Sequence, residues 1–471
     1  MTEIVAATGP AGSPSRGGRP RRGSPAAAAI GAATTTIACV LPVFLVGGLA
    51  VQMGDELRFS PAGLGLAVAV YFGVSAVASV PAGKLVERYG PRLIARIAIA
   101  LAAACLLAIA SLARSFPALV VPLAVSAVAN ALGQLASNAA LAQRVPIRRQ
   151  GLSFGIKQAA IPLSTLLAGA AVPTVALTAG WRWAFVLAAV LAVAAIPLVP
   201  PSGGPPGRDA AGTGQPGDAA PDSSAPDGRD RPGRPGEGGR RAQPGGGRRS
   251  WLDGGGRRAS ERRRDRATAA LVVIGVAAML AGGAANALGT FLVDASVGRG
   301  LDPGLAGLTL TFGSVVCVTA RLLGGWLADH RDGGHVVVIA GLLVCGAVGL
   351  GLLALPGPAA LLVGVALGFG LGWSWPGLMN FAVVRLHPQA PAAATSITQT
   401  GVYAGGCLGP LALGAVAAHA GYPAMWTVAA IAMLAAAGCM LLGSHMLHRQ
   451  QQDPLNSSIV GASTRPGHPD S

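Results

Sequence analysis

Charge is what this chain has least of. Only 11% of its 471 residues are Asp, Glu, Lys or Arg, against roughly 25% in a soluble globular protein. The stretches 26–200 and 267–448 together hold 357 residues but only 22 charged side chains. No water-soluble fold hides that much apolar sequence, so a soluble enzyme is excluded and a polytopic membrane protein is implied. Aromatic residues are scarce too, at 4%. The basic segments therefore lack the stacking platforms of a nucleic-acid module, and the net charge of +16 reads as the bias of membrane-protein loops. Six cysteines all fall in apolar runs without a CxxC pair, so no disulfide framework and no zinc site is implied. The seven histidines lie in turns, span ends or the tail, away from any deep acid, and no phosphate-binding Walker loop occurs. Neither a metal, a cofactor, ATP-driven work nor intramembrane catalysis is expected.

What is present is a series of apolar windows of the length a helix needs to cross a bilayer, about 20 residues. They fall near 26–51, 63–86, 93–113, 117–142, 151–178 and 182–200, then near 268–293, 303–328, 335–355, 358–384, 393–418 and 424–447. The expected fold is all-α, twelve transmembrane helices arranged as six plus six. The domain reading is a tail over 1–25, a six-helix bundle over 26–200, a linker over 201–267, a second bundle over 268–448 and a tail over 449–471. Gly and Pro fill 26 of the 66 positions in 201–266, a composition that buries no core and predicts a flexible tether. With the N-terminus in the cytoplasm, 29 Lys and Arg fall inside and only Arg58, Arg114, Arg182 and Arg299 outside. Both termini are therefore expected in the cytoplasm, in a multi-pass protein of the cell membrane.

The two sets resemble each other at a nearly constant offset. GIKQAAIP (155–162) matches SITQTGVY (396–403) and GWRWAFVLAAVLAVAA (180–195) matches GYPAMWTVAAIAMLAA (421–436), both at 241 residues. GKLVERYG (83–90) matches GWLADHRD (325–332) at 242. Six crossings return the chain to its starting side, so the halves share one orientation and are related by an axis along the membrane normal.

The segment GKLVERYGPR (83–92) resembles the G-x-L-a-D-r-x-G-r-r signature of the major facilitator superfamily, and GGWLADHRDGG (324–334) is its degenerate partner. The resemblance covers essentially the whole chain and implies a monomeric secondary transporter that moves a small molecule through the lipid bilayer by alternating access. The motif residues Gly83, Glu87, Arg88, Gly90, Arg92, Gly325 and Asp329 are then expected to gate. Gly83 and Gly325 would let neighbouring helices approach closely. Glu87 and Asp329 would bind Arg side chains and the positive end of an opposing helix. The sequence departs from the pattern with Glu87 in place of Asp and Asp332 in place of Gly. An ordinary charged turn that fixes topology is the plainer reading of both copies.

Two cations stand inside spans, where a charge is costly and faces a cavity or snorkels to the interface. Lys157 lies about 9 Å into the fifth span, and Arg321 about 12 Å from Asp329 on the eighth. No carboxylate lies comparably deep, and unpaired buried cations call for an anion. In the superfamily fold spans five and eight face each other, which brings Lys157 and Arg321 toward one cleft. The spacing Arg321, Gly325, Ala328, Asp329 is similar to that of monocarboxylate and oxalate carriers. GIKQAAIP and SITQTGVY look, more loosely, like cyanate-type carriers. Snorkelling of Lys157 and bracing of a loop by Arg321 are the structural alternatives. Asn130, Gln134 and Asn138 stack on one face of span four. With Gln158, Asn286, Trp373, Asn380 and Gln399 they complete the candidate substrate-binding set, the alternative for the amides being interhelical hydrogen bonds.

The leading reading is a carrier of a small organic anion, without nucleic-acid partners. A multidrug–proton antiporter is the alternative, disfavoured by sparse aromatics and by cations at depth. A transport-fold sensor without flux is a more remote one.

Overall fold

The structure is a computed structural model that describes residues 25–145, 150–199, 249–330, 334–386 and 391–463. Most of the expected N-terminal tail and central linker, the end of the C-terminal tail, and the side chain of Asp329 lie outside the described residues. The elements in chain order are α1 (Pro25–Gly48), α2 (Ala50–Leu57), α3 (Pro61–Tyr89), α4 (Pro91–Leu112), α5 (Phe116–Arg144) and α6 (Gln150–Ala171). A π-helical turn (Val172–Ala176) joins α6 to α7 (Leu177–Ala179), and α8 (Trp181–Ala195) follows. Then come α9 (Arg249–Val297), α10 (Pro303–Asp329), α11 (His335–Leu353), α12 (Pro358–Leu367), a π turn (Gly368–Gly372), α13 (Trp375–Leu386) and α14 (Pro391–Ser463).

Proline and glycine punctuate this order. Pro61, Pro91, Pro117, Pro303 and Pro358 stand in the first turn of their helices, where a missing N–H costs nothing. The tight reversals fall on Gly90 (φ 83°), Gly180 (φ 96°) and Gly357 (φ 100°), a backbone region that L side chains avoid. Ser60 and Asp302 cap α3 and α10 by accepting from the backbone N–H of Gly63 and Gly304.

Among the described residues, eleven helices are long and apolar enough to cross a bilayer. The last of these, Thr398–Met446, has 49 residues, about 73 Å of helix, twice what a bilayer requires. It breaks at Gly421 (φ 80°, ψ 170°), so α14 supplies two crossings and the total is twelve. Three expected spans are interrupted. The first ends at Gly48, and α2 turns away as a separate short helix. The fifth runs through a π turn at Pro173, which has no N–H to bond the carbonyl one turn back. The tenth is split at Gly368–Gly372, where three glycines precede Pro376.

Helices alternate in direction, so two sides can be distinguished. One, called the linker side here, carries the turn at Gly90 and the helix ends at Arg144, Leu198, Asp329 and Leu386. The far side carries those near 58, 114, 180, 300, 356 and 421. Large apolar side chains such as Val77 (79%), Val80 (70%) and Leu112 (65%) stay exposed around the bundle. In water such a surface would aggregate; in lipid it is the solvent-facing surface.

The two halves meet where α6 lies along α10 and α3 along α14, with α1 against α9. The tightest approaches are on the far side. A methyl group on Gly169 would stand 2.6 Å from the Gly307 carbonyl oxygen, and one on Gly65 would stand 2.2 Å from that of Pro410. Small residues are what allow backbones this close. On the linker side the spacing relaxes. A methyl on Gly325 would keep van der Waals distance from the Gly155 backbone (3.9 Å), and among the described residues nothing lies within 4 Å of a methyl on Gly83. Among the described residues no close approach falls at Gly83, and the grip between α3 and α14 lies toward the far end of α3.

Candidate functional site

Arg321 and Lys157 are 4% and 3% exposed. The guanidinium reaches across the seam between the halves. Its Nε and Nη2 donate to the Trp373 carbonyl at 3.1 and 2.6 Å, and its Nη1 donates to the Gln158 carbonyl. Both acceptors are free for a reason written in the sequence. An α-helical carbonyl bonds the N–H four residues on, and residue 162, four beyond Gln158, is a proline. Trp373 sits at the break between the π turn and α13, with φ −114° and ψ 5°. Arg321 therefore satisfies oxygens stranded by two helix irregularities, one in each half.

Lys157 is one residue from Gln158 and turns the other way. Its ammonium donates to Asn138 Oδ1 at 2.5 Å and to the Gln134 carbonyl at 3.5 Å, both on α5. Lysine has three N–H donors and arginine five. One remains on Lys157 after these bonds, and one on Arg321, whose guanidinium also meets the Cys317 thiol. Among the described residues the one ion pair is Arg182 with Glu56, on the far side, so neither buried cation faces a carboxylate.

The other candidates divide. Gln134 and Asn138 join Lys157, and Gln158 meets Arg321 through its backbone. Trp373 closes one wall, its ring 5.8 Å from Phe44, 5.4 Å from Phe369 and 6.0 Å from the Arg321 guanidinium. Asn130 is spent on packing: it donates to Ser75 Oγ at 3.0 Å and accepts from Gln134 Nε2 at 3.4 Å. Asn286 donates to the Gly282 carbonyl of its own helix at 2.7 Å. Gln399 hydrogen-bonds the Tyr403 hydroxyl, which also meets Ser79 of α3. Asn380 is half-buried on α13, apart from these groups. Two contributors lie outside the candidate set. Pro162 strands the Gln158 oxygen, and Thr165 shares a 2.7 Å hydroxyl–hydroxyl bond with Ser314 across α6 and α10. A proline four residues beyond Gln158 is the signal that could have found the first; the second leaves none.

Gly90, at φ 83°, closes the turn between α3 and α4. Glu87 and Arg88 are exposed, Arg88 over the Tyr89 ring at 5.4 Å, and Glu87 makes no ion pair among the described residues. Arg92 turns inward, its Nε buried and without a hydrogen-bond partner among the described residues.

Twelve crossings, a seam between two sets of helices and paired cations at that seam define a solute carrier of the membrane. The family comparison agrees: the model of the Major Facilitator Superfamily matches residues 26–410 and again 274–462. The chain belongs to that superfamily, whose members are secondary transporters of small molecules and not enzymes. No curated protein sequence matches it significantly.

Proposed function

We propose that the protein carries a small organic anion, a monocarboxylate or a similarly sized species, with Arg321 and Lys157 as its charge-binding residues. The observation that carries this reading is the pair of buried cations whose partners are all neutral groups. A buried charge without a counter-charge is costly. A carboxylate supplies that charge and can take the N–H groups left on Arg321 and Lys157. The reading extends to the route. The halves grip each other on the far side and are looser at Gly83, which suits a conformer closed to the far side. Alternating access then consists of tilting the six-helix sets so that the Gly65 and Gly169 contacts release while the linker side closes. In that second conformer Glu87 has a use as a latch. With the linker side cytoplasmic, as the distribution of Lys and Arg indicates, the described conformer is closed to the outside of the cell, and the carrier works as a monomer in the cell membrane.

Counterflow in proteoliposomes tests this. Labelled monocarboxylates are expected to be taken up and labelled lipophilic cations are not. Lys157→Ala and Arg321→Ala are each expected to reduce carboxylate uptake at least tenfold, about 1.4 kcal/mol of binding or more. Arg321→Lys keeps the charge but not the planar fork and is expected to fall between. Normal anion uptake by folded Lys157→Ala and Arg321→Lys proteins would overturn the assignment.

A further inference from the structure

We propose that Arg92 and Arg144 hold a monatomic anion, chloride in the cell, in a cavity of the first six-helix set near the linker side. The cavity lies between α1, α4 and α5, and its walls include Gly31, Ala32, Thr35, Arg92, Ser137 and Arg144. Among the described residues no acidic side chain lines it. Two guanidinium groups facing one small space repel each other, and neither has an ion-pair partner among the described residues. Arg92 Nε is buried without a hydrogen-bond acceptor there, and so is Nε of Arg96, one turn further along α4. The hydroxyls bring no counter-charge. Thr35 gives its proton to the Gly31 carbonyl at 2.7 Å and Ser137 to the Gly133 carbonyl at 2.6 Å. Their oxygens offer lone pairs but no negative charge to offset two guanidinium groups. Arg92 also stands in the first turn of α4, so the helix adds its own positive end.

Size decides the class of ligand. The cavity is about 20 Å³, room for about one water-sized particle. A halide ion approaches that size, and a phosphate group or a carboxylate-bearing solute exceeds it. The guanidinium N–H groups supply charge-assisted donors from two sides. The site thus ties the start of α4 to the end of α5 through an ion, in a chain whose signature-loop acid, Glu87, stays in solvent. It is separate from the Arg321–Lys157 seam and does not depend on what that seam carries.

Thermal unfolding of the purified full-length protein tests this, with sodium chloride or bromide titrated against sodium gluconate at constant ionic strength. The wild type is expected to show a saturable rise in midpoint of about 3 °C with either halide. Arg144→Gln is expected to lose that rise. Arg144→Glu supplies the negative charge covalently and is expected to match, in gluconate, the wild type in chloride. Lys157→Ala is expected to keep the halide response. The proposal is overturned if wild-type unfolding is indifferent to halide. It is overturned equally if inorganic phosphate replaces chloride, or if Lys157→Ala loses the response while Arg144→Gln keeps it.

Discussion

Among the described residues the hydrogen-bond partners of Arg321 are main-chain oxygens and the neutral Cys317 thiol, and this sets it apart from the surface cation at Arg182. There the guanidinium donates to both Glu56 oxygens at 2.8 and 2.7 Å and to the Ala113 carbonyl at 3.0 Å, while Trp181 Nε1 donates to the same carboxylate at 2.7 Å. Those bonds, chiefly from Arg182 and then Trp181, hold the Glu56 carboxyl below its ordinary value of 4.5. Because the folded value is the lower one, the contribution of Glu56 to stability is complete above pH 4.5 and is lost as pH falls through the folded value. The Glu56 side chain is 43% exposed, so solvent screening keeps the effect small, below about 1 kcal/mol. Glu56→Gln is expected to lower the unfolding midpoint slightly at pH 7 and to flatten its decline in acid. An unchanged acid limb would show that the cluster contributes nothing.

At the scale of an element, Pro162 matters more than its apolar setting suggests. Pro162→Ala restores an N–H that bonds the Gln158 carbonyl and removes one of the acceptors of Arg321. The guanidinium is then freer for a bound anion. Losing one competing hydrogen bond is worth about 1 kcal/mol, so KM for the transported anion is expected to fall about fivefold. An unchanged KM in transport kinetics would mean that the proline only bends α6. Arg321 and Lys157 were legible in the sequence because charge stands out in an apolar run. Their acceptors were not, since a backbone carbonyl carries no residue name. Asn130 and Asn286 attracted notice for the same amide chemistry that engages Asn138, while Gln134 meets Lys157 through its backbone carbonyl. Sequence spacing alone does not distinguish an amide that binds Ser75 from one that meets Lys157.

For the whole molecule, the number of crossings was readable because lipid demands unbroken apolar length. The interruptions at Leu49 and Gly368–Gly372 were not, since each lies inside an apolar window. The side on which the halves clasp was also hidden. Gly83 carries the signature motif, yet the contacts that bind the halves fall on Gly65 and Gly169, which belong to no motif. Gly169→Val places bulk against the Gly307 backbone, which cannot rotate aside as a side chain would. Overpacking of this kind costs about 1–3 kcal/mol. The variant is expected to unfold several degrees lower and to be labelled faster from the far side by a membrane-impermeant thiol reagent at a cysteine engineered near Thr311. A wild-type midpoint together with unchanged labelling would mean that the far side is not the closed one.

The lone oxygens beneath Arg321 have one more implication. On the proposed reading they would stand in for the cargo: when no solute is aboard, the guanidinium rests on the protein's own peptide groups and is not left bare in a greasy interior. A vacant carrier furnished in this way can make its return swing with the positive charge still sheltered.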